Sequence, residues 1–99
     1  MKIQVKKEGT TLNLKPEERI DTLTAPDLDR CIQAELKGTQ LIILDLQMVD
    51  YISSAGLRVL LATEQEMEDC GGSLTLIHCS DAILEVLEMT GFMDMLKVE

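Results

Sequence analysis

Residues 41–61 read LIILDLQMVDYISSAGLRVLL, and this stretch joins a run of apolar residues to a segment with helical periodicity. The apolar run 41–46 is typical of a strand that is buried on both faces of a sheet. From Ser54 the apolar residues recur at helical spacing, so we expect a helix as far as about Cys70. Ser53 and Ser54 are therefore expected where a tight acidic turn leads into the N-terminus of that helix.

The two serines have different expected roles. Ser53 stands just before the first helical residue, where a side-chain oxygen can accept a hydrogen bond from a first-turn N–H group. Ser54 is then the first helical residue, and its hydroxyl is expected to point outward. Because free N–H groups and the helix dipole favour an anion at this place, a phosphate on either serine would suit the fold. We predict Ser54 as the phosphorylation site, with Ser53 as the second choice.

A polar stripe continues from Ser54 along the same side of the predicted helix. Offsets of four, four, three and four residues place its members on one side: Ser54, Arg58, Ala62, Gln65 and Asp69. A solvated helix face is the commoner explanation of such a stripe. Its origin at an exposed serine nevertheless makes the stripe, together with Ser53, the predicted partner-binding surface. The small side chain of Ala62 would let a partner helix approach closely.

The remaining patterns predict an α/β fold, with a small mixed sheet of about four to five strands packed against helices. Residues 3–5 and 12–14 alternate between apolar and polar, as in an N-terminal β-hairpin. Residues 19–21 are expected to add a short strand. Thr24 is a predicted helix cap, with Asp27 three residues on in a variant of the capping box. Ser80 or Asp81 is expected to cap a later helix.

Composition limits both the organisation of the chain and its partners. The 99 residues have room for one domain and one modest core, so we expect a single domain over 1–99. A net charge of −9 repels nucleic acid and anionic membranes, and it disfavours self-association. No apolar run is long enough to span a membrane, and no secretory signal is recognisable. We therefore predict a cytoplasmic monomer that binds neither nucleic acid nor membrane and faces a basic protein surface.

Three kinds of chemistry have little support in the sequence. Residues 52–56, ISSAG, match half of the nucleophile elbow of serine hydrolases, but the first glycine is missing and His78 is the only base available. His78 and Cys79 are neighbours, which point to opposite faces of a strand and cannot chelate one metal ion. Neither glycine-rich nucleotide motif occurs. We expect no enzyme activity, no metal and no cofactor.

Taken together, several segments resemble the STAS domain, the fold of bacterial anti-sigma factor antagonists and of the cytoplasmic tails of sulphate transporters. The resemblance is carried by residues 19–26 (RIDTLTAP), by residues 45–61, by Gly71-Gly72 and by the ending 89–92 (MTGF). These segments extend over nearly the whole chain. Glu18 departs from the family, in which many relatives have glycine at that position.

The resemblance implies a regulatory role for the turn before the predicted helix. In anti-sigma factor antagonists this turn typically reads Asp-Ser-Ser/Thr-Gly, and the serine after the aspartate is phosphorylated by a kinase-type anti-sigma factor. Alignment on Gly56 matches that serine to Ser54, and it puts Ser53 and Ala55 in place of the flanking aspartate and Ser/Thr. The implied mechanism is partner switching, in which the unmodified domain binds the ATP-binding anti-sigma factor and releases that factor's client. Phosphorylation ends the complex, and a cognate phosphatase restores it.

A second role within the same family remains open. STAS domains also serve as constitutive adaptor subunits that dock on the ATPase of a membrane transporter without being phosphorylated. An exposed, modifiable Ser54 and an acidic surface favour the switch, whereas a stable complex that is insensitive to ATP would favour the adaptor.

Overall fold

A computed structural model describes all residues, 1–99, as a five-stranded mixed sheet with three helices, which confirms the predicted α/β fold. The strands are β1 (Ile3–Glu8), β2 (Thr11–Pro16), β3 (Leu41–Asp45), β4 (Ser73–Ile77) and β5 (Lys97–Val98). The helices are α1 (Ala25–Glu35), α2 (Ser54–Asp69) and α3 (Asp81–Thr90), and a 3₁₀ turn (Phe92–Asp94) precedes β5. β1 and β2 form an antiparallel hairpin, and β2 to β5 run parallel.

The order of the strands in the sheet is the same as their order in the chain. Because parallel crossovers are almost always right-handed, such an order carries every helix to the same face of the sheet. Burial along β3 follows this arrangement: Ile42 and Leu44 are fully buried, whereas Leu41 and Ile43 are only half-buried. The prediction of a strand buried on both faces is therefore wrong, since the sheet is covered by helices on one face only.

The segment before α1 also differs from its prediction. Residues 19–21 form no strand, and only a single parallel bridge joins Ile20 to Ile52. The chain turns at Asp21, whose carboxylate accepts hydrogen bonds from the N–H groups of Leu23 at 2.9 Å and Thr24 at 3.0 Å. The carboxylate thus diverts the backbone groups that would have extended a strand.

Thr24 does not cap α1 with its side chain as predicted. Its hydroxyl donates to the carbonyl of Arg19 at 2.8 Å and accepts from the N–H of Asp21 at 2.8 Å. Asp27 does not complete a capping box, because its carboxylate binds the amino group of Met1 and the guanidinium of Arg30. The hydroxyl and the carboxylate each have a stronger local partner than the helix N-terminus.

The two other predicted helix starts are confirmed. Ser53 caps α2, and Ser80 caps α3 by accepting from the N–H of Ile83 at 3.3 Å. α3 ends at Gly91, which adopts the left-handed conformation that favours glycine, with φ of 80°. None of the three helices combines the length and the apolarity that crossing a membrane requires.

Candidate functional site

Ser53 is occupied by its structural role at the start of α2. Its backbone is extended, and its Oγ accepts a hydrogen bond from the N–H of Gly56 at 3.2 Å. Its own N–H donates to the carbonyl of Ile20 at 2.8 Å, and the residue is half-buried. A side-chain oxygen in this position satisfies one of the N–H groups that lack an intrahelical partner. The hydroxyl of Ser53 is therefore committed to the fold.

Ser54 is the first residue of α2, and it is exposed. Its hydroxyl makes no hydrogen bond within the protein, unlike that of Ser53. The backbone N–H groups of Ser54 and Ala55 have no backbone partner either. A free hydroxyl thus stands beside free donors at the positive end of a helix of 16 residues, an arrangement that suits an anion.

The turn that carries the serines is fixed to the segment before α1. The N–H of Ile20 donates to the carbonyl of Tyr51 at 3.0 Å, which together with the Ser53–Ile20 bond pairs the two segments. Gly56 allows this close contact, because a Cβ there would lie 2.6 Å from Ile20 Cγ2 and 2.8 Å from Ile52 Cγ1. The start of α2 is therefore held rigidly while Ser54 faces solvent.

All five members of the predicted stripe are exposed on α2: Ser54, Arg58, Ala62, Gln65 and Asp69. At 1.5 Å per residue the stripe extends over about 22 Å along the helix. Ser53 lies at the N-terminal end of the stripe. It is half-buried, so it exposes less surface than the five stripe residues. The residues are thus accessible together, and their role in binding stays a prediction.

Exposed apolar residues beside the serine turn were not identified from the sequence. Leu23 is 85% exposed, and Met48 and Tyr51 are about half exposed. The guanidinium of Arg19 lies 4.5 Å from the centre of the Tyr51 ring, a cation–π contact. Leu23 lies in the sequence Thr22-Leu23-Thr24, where the apolar residues follow neither strand nor helix periodicity. This lack of periodicity is the only signal in the sequence that could have indicated its exposure.

Charge also stabilises the turn before α1. The hydrogen bond from the N–H of Thr24 lowers the pKa of Asp21 below its usual range. Partial burial raises this pKa, and the hydrogen bond from the N–H of Leu23 lowers it further. The carboxylate of Asp21 is therefore ionised at neutral pH, and its bonds keep Ile20 beside Ile52.

The nucleophile–base pair of a serine hydrolase does not form at this turn. The Nδ1 atom of His78 lies 2.9 Å from Asp45 Oδ1, and no histidine is hydrogen-bonded to Ser53 or Ser54. No group of three histidine, cysteine or acidic side chains could hold a metal ion. His78 is therefore engaged by Asp45 and not by either serine hydroxyl.

Comparison with known proteins identifies the family. The model of the STAS domain matches residues 2–99. The BtrV protein of Bordetella bronchiseptica is 35% identical over 80 residues, which are 80% of this chain and 69% of BtrV. The anti-sigma-B factor antagonist of Bacillus subtilis is 28% identical over 97 residues, which are 97% of this chain and 88% of that protein.

Solved structures show the same fold at lower identity. The anti-sigma factor antagonist SpoIIAA in its unphosphorylated form has a TM-score of 0.85 at 16% identity, covering 99% of this chain and 88% of SpoIIAA. The phosphorylated form of the Bacillus protein has a TM-score of 0.77 at the same identity, covering 99% and 91%. This chain therefore belongs to the STAS domain family, within the group of the anti-sigma factor antagonists.

Proposed function

We propose that this protein is an anti-sigma factor antagonist that works by partner switching, with Ser54 as the switch. In its unmodified form it binds a kinase-type anti-sigma factor, so that the client of that factor is released. Phosphorylation of Ser54 ends the complex. The observation that carries the proposal is the contrast between the committed hydroxyl of Ser53 and the exposed, unbonded hydroxyl of Ser54. The solved phosphorylated form of SpoIIAA, a protein of the same fold, supports it.

The fold would accept a phosphate on Ser54 without unfolding. The group adds about −1.5 to −2 charges, and the free N–H groups of Ser54 and Ala55 would stabilise it. Arg58 lies four residues further along the same side of α2, within reach of an ion pair with the phosphate. The effect of modification would therefore be confined to the surface.

Two changes at that surface would weaken partner binding. The phosphate brings charge and bulk to the end of the stripe, where a partner that covers Ser54 would have to remove water from it and accommodate its volume. A phosphate paired with Arg58 also removes that guanidinium from the partner's contact surface. The exposed side chains of Leu23 and Tyr51 beside the turn are large apolar groups of the kind that anchor interfaces. We infer that the interface includes them.

The switch requires enzymes that the chain itself does not supply. The chain acts by binding and not by catalysis, while its partner supplies the kinase activity and a cognate phosphatase reverses the modification. Its net charge of −9 suits a basic partner and opposes self-association, so the free protein is a monomer. Partners that use ATP place the whole cycle in the cytoplasm. No cofactor is required by the chain itself.

The test compares two variants of Ser54 for their affinity for the cognate anti-sigma factor. Ser54→Ala should bind as the unmodified protein does, because the side chain has no structural partner. Ser54→Asp should bind more than about 100-fold more weakly, which corresponds to about 3 kcal/mol. Calorimetric titration measures both affinities, and thermal melts should show that both variants remain folded.

A matched control separates the position of the charge from the charge itself. Thr10→Asp adds one negative charge at the exposed turn of the β1–β2 hairpin, at the opposite end of the sheet from Ser54, and should leave the affinity unchanged. Equal binding by Ser54→Asp and Ser54→Ala would contradict the switch, and it would favour a constitutive adaptor on a transporter ATPase.

A further inference from the structure

A second polar feature of α2 adjoins the C-terminal part of the Ser54 stripe, and Gln65 belongs to both. A cleft of about 540 Å³ separates the C-terminal half of α2 from the segment that leads into β5. We call it the C-terminal cleft. Its charged lining residues are Glu64, Glu68 and Asp94 and one basic residue, Lys97, which forms no ion pair, and its apolar lining includes Leu61 and Met95.

Glu64 is the unusual member of this set. Only 7% of its surface is exposed, and its Oε2 atom is buried without a hydrogen-bond partner. No basic group of the protein forms an ion pair with it. A buried carboxylate without a partner destabilises a fold, because desolvation of the charge is not compensated. A ligand that donates a hydrogen bond would supply the missing partner.

The lining of the cleft determines the chemistry of that ligand. Glu64 and Glu68 are four residues apart on one side of α2, and Asp94 adds a third carboxylate from the opposite wall. Three carboxylates against the single ammonium of Lys97 leave the cleft negative, so it favours a further cation that donates hydrogen bonds. The carboxylates do not form a group that could hold a metal ion, and a bare ion would leave Leu61 and Met95 without a contact.

We propose that the C-terminal cleft binds a basic side chain, preferably arginine, of a protein partner. The guanidinium offers five N–H donors in a planar fork that matches a carboxylate. Rotation of the Glu64 carboxylate about its terminal bond would turn Oε2, which is closed off in the free protein, toward these donors. The aliphatic stem of the arginine would pack on Leu61 and on Met95, which is 54% exposed. The net charge of −9 attracts a basic partner to this surface. The site is separate from Ser54 and does not depend on its phosphorylation.

The first experiment uses blocked tripeptides as probes of the intact protein at low salt. Titration with Gly-Arg-Gly should give saturable amide chemical-shift changes that are concentrated at residues 61–68 and 94–97. The peptide Gly-citrulline-Gly has the same shape without the charge, and it should bind at least about tenfold more weakly. Equal binding of the two peptides, or shift changes scattered over the surface, would overturn the proposal.

Variants then assign the binding to Glu64. Glu64→Gln should lower the affinity for the arginine peptide by at least about tenfold. Glu85→Gln removes an equal charge on the exposed side of α3 and should leave the affinity unchanged. If Glu64→Gln fails to fold, Glu64→Asp retracts the carboxylate and should show the same weakening. Unchanged affinity in a folded Glu64 variant would overturn the assignment.

Two further measurements show whether the cation comes from a protein or from a small molecule, and whether its binding is independent of Ser54. Agmatine carries the same guanidinium as a free small molecule, and binding more than about tenfold tighter than the peptide would indicate a metabolite site and overturn the docking proposal. Ser54→Asp should bind the arginine peptide with unchanged affinity. The proposal for the C-terminal cleft and the proposal for Ser54 can therefore be contradicted independently.

Discussion

The two ends of α2 differ in how their polar groups are satisfied. At the N-terminus the Oγ of Ser53 caps the helix, Gly56 allows close packing, and the hydroxyl of Ser54 remains free in water. In the C-terminal half, Glu64 is buried with an orphaned oxygen. An exposed free hydroxyl has almost no energetic cost, whereas a buried unpaired carboxylate destabilises the domain. The proposed modification site and the proposed docking site thus leave different marks on α2: the first is an exposed hydroxyl, and the second contains a buried oxygen without a partner.

The largest expected effect on stability concerns the rigid N-terminal end. Gly56→Ala places a Cβ 2.6 Å from Ile20 Cγ2, so the helix start must move away from Ile20 and Ile52. We expect a loss of about 2 kcal/mol in the free energy of unfolding. Urea denaturation measures the change, with Ser54→Ala as the control that should leave the midpoint nearly unchanged. A neutral Gly56→Ala variant would show that the close contact is not needed.

A substitution in the C-terminal half of α2 should raise the free energy of unfolding instead of lowering it. Glu64→Gln removes a buried charge that has no partner, and we expect it to stabilise the free protein by about 1 kcal/mol. Glu85→Gln serves as the control, because an exposed carboxylate of the same charge should change little. Urea denaturation at neutral pH compares the two. Destabilisation by Glu64→Gln would mean that the carboxylate is stabilised within the domain, and the contrast between the two ends would disappear.

Removal of the cap tests the different roles of the two serines. Ser53→Ala deletes the hydrogen bond to the N–H of Gly56, and it should lower the free energy of unfolding by about 1 kcal/mol. Ser54→Ala removes a hydroxyl that has no partner and should be neutral. Thermal melts of the two variants provide the comparison. Equal destabilisation would contradict the assignment of the cap to Ser53 alone.

The smallest effect is a change in the acid sensitivity of the turn beside Ser54. The pKa of Asp21 is lowered in the folded state, so its ionised form stabilises the fold above its unfolded pKa, and this contribution is lost as the pH falls through the folded pKa. Asp21→Asn retains an acceptor oxygen but no longer titrates. The variant should therefore lose less stability than the wild type between about pH 5 and pH 3. Identical pH profiles in urea denaturation would contradict this role.

Local patterns predicted most of the secondary structure. The helix over Ser54–Asp69 and the caps at Ser53 and Ser80 follow from periodicity and side-chain chemistry, which act over a few residues. The uncovered face of β3 could not be inferred from its apolar run, because coverage depends on the order of all five strands. The turn at Asp21 was missed for a similar reason, since a carboxylate competed with strand pairing.

The candidate site was predictable only where the signal is local. Ser54 and its stripe follow from helical spacing, and the structure leaves all their side chains exposed. Leu23 and Tyr51 lie in irregular segments, for which no period indicates exposure. Glu64 shares a cleft with residues 94–97, about thirty positions away, and no pattern within α2 reveals that proximity.

The central claim is that Ser54, and not Ser53, is the hydroxyl that is modified. The most direct measurement is the intact mass of the protein after incubation with ATP and a lysate of its own organism, followed by fragmentation to locate the phosphate. We expect a single phosphate on Ser54 and none on the Ser54→Ala variant. A phosphate on Ser53, or an unmodified chain in a lysate with active protein kinases, would contradict it.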